Sequence, residues 1–158
     1  MEKKKALLIV NTGSPTAPTP EALATYLKEF LSDPHIVPLS PLIWQPLLRF
    51  VVILFRQEKA AARYRAIWTA AGSPLVTTMA VLTEKLQLAL GAEWLVASAM
   101  RYGEPGIKNT LDALRKAGVR EVFLMPLFAQ EADQTVGTIK DAVLSNLPAD
   151  SFARLQWI

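Results

Sequence analysis

Apolar residues enter this chain in two rhythms, and each rhythm predicts a different element. Leu7-Leu8-Ile9-Val10 is an unbroken apolar run with no in/out alternation, and it empties into Asn11-Thr12-Gly13-Ser14-Pro15. A short run of that kind suits a strand covered on both faces, as in a parallel sheet, and such sheets bind ligands just beyond the carboxyl ends of their strands. Further on, Leu75, Met79, Leu82, Leu86 and Leu90 recur at helical spacing, as do Ile107, Leu111 and Leu114, with Gly118 as a left-handed stop. Thr19-Pro20-Glu21 offers a capping hydroxyl, a proline for the first turn and an acid at the positive end of the dipole, and Ser73-Pro74 repeats the device. The pattern predicts strands near 5–10, 93–100, 119–126 and 153–158. It predicts helices over 20–31, 75–90, 106–117 and 134–146, and a helical region over 41–69. Alternating strands and helices mean an α/β fold, a doubly wound, mostly parallel four-stranded sheet with flanking helices.

One connection breaks the rhythm. Roughly 80 residues separate the first two strands, where a strand-helix-strand unit needs about 30. The excess, 33–73, reads as a helical insertion in a single domain spanning 1–158. Within it Pro41 to Phe55 is the most apolar window of the chain, with two prolines, Gln45 and Arg49 as interruptions. As a helix it would reach about 22 Å, short of the roughly 30 Å hydrocarbon core of a bilayer. A buried helix and an exposed apolar lip, touching a membrane surface or a flat hydrophobic ligand, both remain open.

Composition narrows the function classes. The chain has 158 residues, 51% of them hydrophobic and 20% charged, enough for a sizeable core. Lys3 to Lys5 supply three of its charges, the net is +3, and no cationic stripe with interleaved aromatics follows them, so a nucleic-acid partner is not expected. The absence of cysteine excludes disulfides and thiolate-held metals or iron-sulfur clusters within these residues. The N-terminus lacks a signal-peptide pattern, and a cytoplasmic location is expected. No phosphate-binding glycine motif surrounds Gly13 or Gly72. His35, the single histidine, follows Asp33-Pro34 and reads as a solvated turn residue, without a second histidine or cysteine to share a metal. Ser14 and Ser73 lie beside glycines but fit no nucleophile motif.

Several local sequences, taken in order, match a known pattern. Asn11-Thr12-Gly13-Ser14-Pro15, Ala17-Pro18-Thr19-Pro20-Glu21-Ala22, Tyr26 to Pro34 (including Leu31-Ser32-Asp33-Pro34) and Trp44-Gln45-Pro46-Leu47-Leu48-Arg49 come first. Tyr64-Arg65-Ala66-Ile67-Trp68, Gly72-Ser73-Pro74-Leu75, Met100-Arg101-Tyr102-Gly103-Glu104-Pro105, Pro126-Leu127-Phe128-Ala129-Gln130 and Thr135-Val136-Gly137-Thr138 follow. The series resembles the bacterial ferrochelatases over essentially the whole chain.

That resemblance implies insertion of ferrous iron into a porphyrin, protoporphyrin or coproporphyrin, in haem biosynthesis. It implies an enzyme of two similar α/β halves, of which this chain is equivalent to the first. Iron and porphyrin would be substrates, and no permanently bound cofactor is expected. The macrocycle is gripped in a cleft between the halves and bent to expose its nitrogen lone pairs, and a base accepts the pyrrole protons. The 41–55 window would then be a hydrophobic lip that admits the porphyrin and touches the inner membrane peripherally. By position, the porphyrin-facing residues implied are Thr12, Arg56, Tyr64, Ser73, Arg101 and Tyr102. Arg56 would pair with a propionate, Tyr64 and Ser73 would hydrogen-bond a carboxylate or ring edge, and Arg101 and Tyr102 would lie just past the second strand. Without the resemblance, Arg101 reads equally well as a helix-loop ion pair and Tyr64 as a packed helical aromatic.

Two departures stand out. Thr12 replaces a bulkier residue, and Phe128-Ala129-Gln130-Glu131-Ala132-Asp133-Gln134 lacks the phenol and hydroxyls usual in that stretch, gaining two acids that suit a solvated loop or a metal contact. The essential histidine and glutamate of the resemblance fall in the second half and match nothing here, so the chain alone is expected to be inactive. Two other readings stay open: a noncatalytic porphyrin- or membrane-binding module, and a half-chelatase that works as a homodimer.

Overall fold

The structure, a computed structural model, describes residues 5–147 and 152–158; Lys3 and Lys4 lie outside the described residues. The elements follow the order β1 (Lys5–Gly13), α1 (Pro20–Leu31), α2 (Pro41–Leu47), α3 (Ile53–Ile67), α4 (Pro74–Leu90), β2 (Trp94–Tyr102), α5 (Ile107–Lys116), β3 (Glu121–Pro126), α6 (Thr138–Ser145) and β4 (Arg154–Trp157). The strands form one four-stranded all-parallel sheet in the order β2-β1-β3-β4. β1 pairs with β3 from Lys5 opposite Glu121 to Val10 opposite Pro126, and β3 pairs with β4 from Glu121 opposite Arg154 to Leu124 opposite Trp157.

The expected α/β alternation is therefore present, and its causes are visible. Ala6 to Val10 are all buried, as a central strand covered on both faces requires. Ala6, Leu8 and Val10 pack with Ala99, Val122 and Leu124 of the neighbouring strands, under Ile107, Leu111 and Leu114 of α5 and Ile139 and Val143 of α6. Gly118, at φ +78°, ends α5 as expected. Thr19 Oγ1 accepts the Ala22 N–H at 3.3 Å and caps α1. The α4 stripe differs from its expectation: Met79 is buried, while Leu75, Leu82, Leu86 and Leu90 are half-covered. The 41–69 region also differs in detail, because α2 and α3 are joined by a π-helical turn over Leu48–Val52, and a second π-helical turn over Asp133–Gly137 precedes α6.

The chain divides into two compact units. A sheet unit comprises 1–12, 78–101 and 105–158; a helical unit comprises 13–77 with Tyr102–Glu104. The helical unit takes in α1 as well as the apolar window. Its own core gathers Leu31, Leu48 and Ile53 with Leu27, Phe30, Ile36, Val37, Trp44 and Val52 around them. The Trp44 indole N–H donates to the Leu31 carbonyl at 2.7 Å, which fixes the base of α2 on the end of α1.

Candidate functional site

In the sheet unit, the strand order reverses direction at β1, because the chain passes from β1 to β2 on one side and then to β3 on the other. The carboxyl edge between β1 and β3 is where a doubly wound sheet presents a ligand crevice. The Leu127 N–H donates to the Val10 carbonyl at 2.8 Å and extends the pairing to that edge. Thr12 sits there half-buried, its backbone N–H held by Asn11 Oδ1 at 2.8 Å.

Arg101 and Tyr102 are the last residues of β2, which runs two residues further than the 93–100 expectation. Neighbouring residues on a strand leave on opposite faces, and these two go to different partners. Arg101 Nε donates to Thr138 Oγ1 at 2.6 Å and to the Thr138 carbonyl at 3.1 Å, at the start of α6. These hydrogen bonds tie it to a buried threonine at a helix start. Thr138, quoted above only as part of a matching tetrapeptide, is the residue that orients it.

The helical unit brings two of the candidates together through residues the sequence did not single out. Tyr102 is almost wholly buried, with its ring edge-on to Phe30 at 5.0 Å; Phe30 stacks on Tyr26 at 6.1 Å; Tyr26 meets Tyr64 at 6.4 Å, and Tyr64 meets Trp68 at 6.4 Å. Tyr64 is thus a packed helical aromatic with one side open. The Tyr102 hydroxyl donates to Asp33 Oδ2 at 2.8 Å, and Asp33 Oδ1 accepts the His35 N–H at 2.8 Å. Asp33 is itself buried, so its carboxylate organises the turn that leads into α2. His35 lies in that turn, partly covered and partly open to solvent. Leu31-Ser32-Asp33-Pro34 contained the signal for Asp33, but the acid read as a turn former because its long-range partner Tyr102 is 69 positions away.

Burial raises the Tyr26 phenol well above the ordinary tyrosine range, and the neighbouring Tyr64 phenol, hydrogen-bonded to it, adds to the rise. Burial also raises Tyr64, and its hydrogen bond to Tyr26 works against that rise. A phenol whose proton is held more tightly in the folded state contributes its stability fully below the unfolded value near 10 and loses it as pH rises beyond. Folding should therefore weaken above about pH 10, with Tyr26 contributing about 1.4 kcal/mol per pH unit. Tyr26→Phe should flatten that limb, and alkaline unfolding followed by circular dichroism checks it.

Ser73 is buried ahead of Pro74, and its carbonyl accepts the Thr77 N–H at 3.0 Å. Arg56 stands exposed on α3. The apolar window around it settles the choice between buried helix and exposed lip: Leu42 is 88% exposed, Phe55 76%, Ile43 73% and Phe50 68%, with Leu39, Leu47, Val51 and Leu54 also uncovered. So large an apolar patch is unusual on a protein surface. No helix of the described residues is long and apolar enough to cross a membrane.

These features were compared with known proteins. The ferrochelatase family profile matches residues 4–157, nearly the whole chain. The chain belongs to the ferrochelatase family. Similar relatives include the ferrochelatase of Xanthomonas axonopodis pv. citri (strain 306), 44% identical over 138 residues covering 87% of this chain and 43% of that protein. The ferrochelatase of Xylella fastidiosa (strain M12) is 43% identical over the same coverage, and that of Edwardsiella ictaluri (strain 93-146) is 42% identical over 90% of this chain and 44% of its own length. The chain thus spans less than half the length of these curated relatives.

Within this ferrochelatase-family chain the altered 128–134 stretch carries its acids on the surface. Glu131 is ion-paired with Lys140, whose ammonium also lies 5.9 Å from the Trp157 ring centre. The pair lines an open cavity of about 270 Å³ with Phe128, Gln130 and Val136, at the carboxyl ends of β3 and β4. Among the described residues no group of histidines and carboxylates is arranged to hold a metal ion.

Proposed function

We propose that this chain takes part in inserting ferrous iron into a porphyrin, protoporphyrin or coproporphyrin, in haem biosynthesis, as one wall of the porphyrin site of a ferrochelatase, and that it does not complete the reaction by itself. The observation that carries the reading is the exposed lip of α2 and α3 in a chain of this family. A flat apolar macrocycle needs an apolar surface to leave water, and the lip supplies seven large uncovered side chains between Pro41 and Phe55. In the helical unit, Arg56 is the proposed partner of a propionate and Tyr64, open on one side, a hydrogen-bond donor to the ring edge or carboxylate. Ser73 and Tyr102, both buried in that unit, complete the proposed porphyrin-facing set there. In the sheet unit, Thr12 occupies the ligand edge and Arg101, fixed by Thr138, is the proposed second cationic contact. Iron and porphyrin are substrates in this proposal, and no resident cofactor is invoked. The same lip is proposed to rest on the inner membrane peripherally, in the cytoplasm.

The test is a porphyrin titration of the chain followed by Soret absorbance, alongside an assay of ferrous-iron insertion. Porphyrin binding that Arg56→Ala weakens about tenfold, consistent with loss of one charge-assisted pair, with no insertion by the chain alone, is the expected result. Absence of any Soret change would end the porphyrin reading, and insertion by the isolated chain would end the claim that it supplies one wall only.

A further inference from the structure

The lip has a second property that its hydrophobicity does not require. From Pro34 to Thr83 the chain carries five cations, Arg49, Arg56, Lys59, Arg63 and Arg65, and a single acid, Glu58. That stretch accounts for more than the whole net charge of +3, and the remaining residues carry twelve cations against thirteen acids. Three of them are also arranged. Arg56, Lys59 and Arg63 fall at i, i+3 and i+7 on α3, which places them on one stripe, while Arg49 lies in the π-helical turn ahead of it and outside that register. All four are exposed, whereas Arg65 leaves the stripe and donates to the Pro18 carbonyl at 3.3 Å. The inner face of α3 is formed by Ile53, Gln57, Ala60, Ala61 and Tyr64, so the cationic stripe runs along the flank between that face and the exposed side.

We infer that the Arg56-Lys59-Arg63 stripe makes the lip selective for anionic lipid bilayers, the cations meeting lipid phosphates while Leu42, Ile43, Phe50 and Phe55 enter the acyl boundary. This rests on the membrane contact proposed above and names its partner. An apolar surface alone gains the same hydrophobic free energy from a zwitterionic bilayer as from an anionic one. Cations on the flank of a shallowly inserted helix lie at headgroup depth, where their aliphatic stems can lie along the apolar surface and their heads remain wet. Each such cation is worth several-fold in affinity for an anionic leaflet, an effect that salt screens. A polynucleotide would meet the cations but would leave the four exposed apolar side chains without a partner, so it does not account for the whole surface.

The experiment uses the 158-residue chain with unilamellar vesicles of phosphatidylcholine alone or with about one-third phosphatidylglycerol, read by co-sedimentation. Partition into the anionic vesicles is expected to exceed that into the neutral ones at least tenfold. The excess should vanish in 1 M NaCl and in Lys59→Glu/Arg63→Glu, and should persist in Lys59→Arg/Arg63→Lys. Circular dichroism verifies that each variant is folded, and Leu42→Ser/Phe55→Ser should lower partition into both vesicle types. Equal partition into the two vesicles, or an excess untouched by the charge reversal, would overturn the anionic selectivity and leave the lip as a membrane contact. Binding to neither vesicle would overturn both, and a polyuridylate competitor that strips the chain from anionic vesicles at equal phosphate would assign the stripe to nucleic acid instead.

Discussion

Gly103→Ala should lower the stability of the chain by about 3 kcal/mol, the largest loss expected from any one-methyl change in it. Gly103 sits at φ +82°, where an L-residue with a side chain costs about 1–2 kcal/mol. A Cβ there would also stand 2.6 Å from the Ser14 carbonyl oxygen, closer than real Cβ atoms come. That oxygen belongs to backbone and cannot swing aside like a flexible side chain, so the 102–104 segment has to move. Moving it strains the Gly103 N–H bond to the Glu29 carboxylate at 2.9 Å and the Tyr102 packing on Phe30. In urea the midpoint should fall by about 1.5 M with an unchanged slope. Gly103→Asn separates the two causes, because asparagine tolerates positive φ but still carries a Cβ. It should be nearly as harmful as alanine, and an asparagine variant of wild-type stability would show that the contact with Ser14 is yielding.

Asp33→Ala should cost about 3–4 kcal/mol, because it removes the acceptor of two hydrogen bonds in a buried place. The Tyr102 hydroxyl and the His35 N–H each donate to this carboxylate at 2.8 Å. Hydrogen bonds to a charged group contribute about 1.5–3 kcal/mol, and a buried donor left without its acceptor bears its desolvation cost as well. Tyr102→Phe should cost less, about 2 kcal/mol, since the carboxylate keeps the His35 N–H. A double-mutant cycle with Asp33→Asn and Tyr102→Phe, measured by urea unfolding, should return a coupling of at least 1 kcal/mol. Additive losses would mean that the phenol and the carboxylate do not depend on each other.

Much of the fold could be read from the chain because the signals were local. Leu7 to Val10 had no polar interruption, and the central strand lies there. Thr19-Pro20 and Gly118 marked α1 and the end of α5 through backbone requirements that neighbours cannot override. The apolar window was legible as an anomaly, yet sequence alone could not separate a buried helix from an exposed one, since periodicity does not say which face finds a partner. What escaped was long-range. Thr138 as the anchor of Arg101, Asp33 as the anchor of Tyr102, and the chain of rings from Tyr102 to Trp68 depend on which loops the fold brings together. The π-helical turns escaped too, because a one-residue widening of a helix leaves almost no compositional trace.

The turn over Leu48–Val52 nevertheless decides which side chains of the lip reach the core. Leu48 and Ile53 both point into the core of the helical unit, five positions apart. On a regular α-helix five residues turn about 140° beyond a full circle, so only one of the two would face inward. Four positions would serve both in an undistorted helix. The wider turn lets Val52 and Ile53 both join Leu48 in that core, while Phe50 and Val51 are turned outward and stay uncovered.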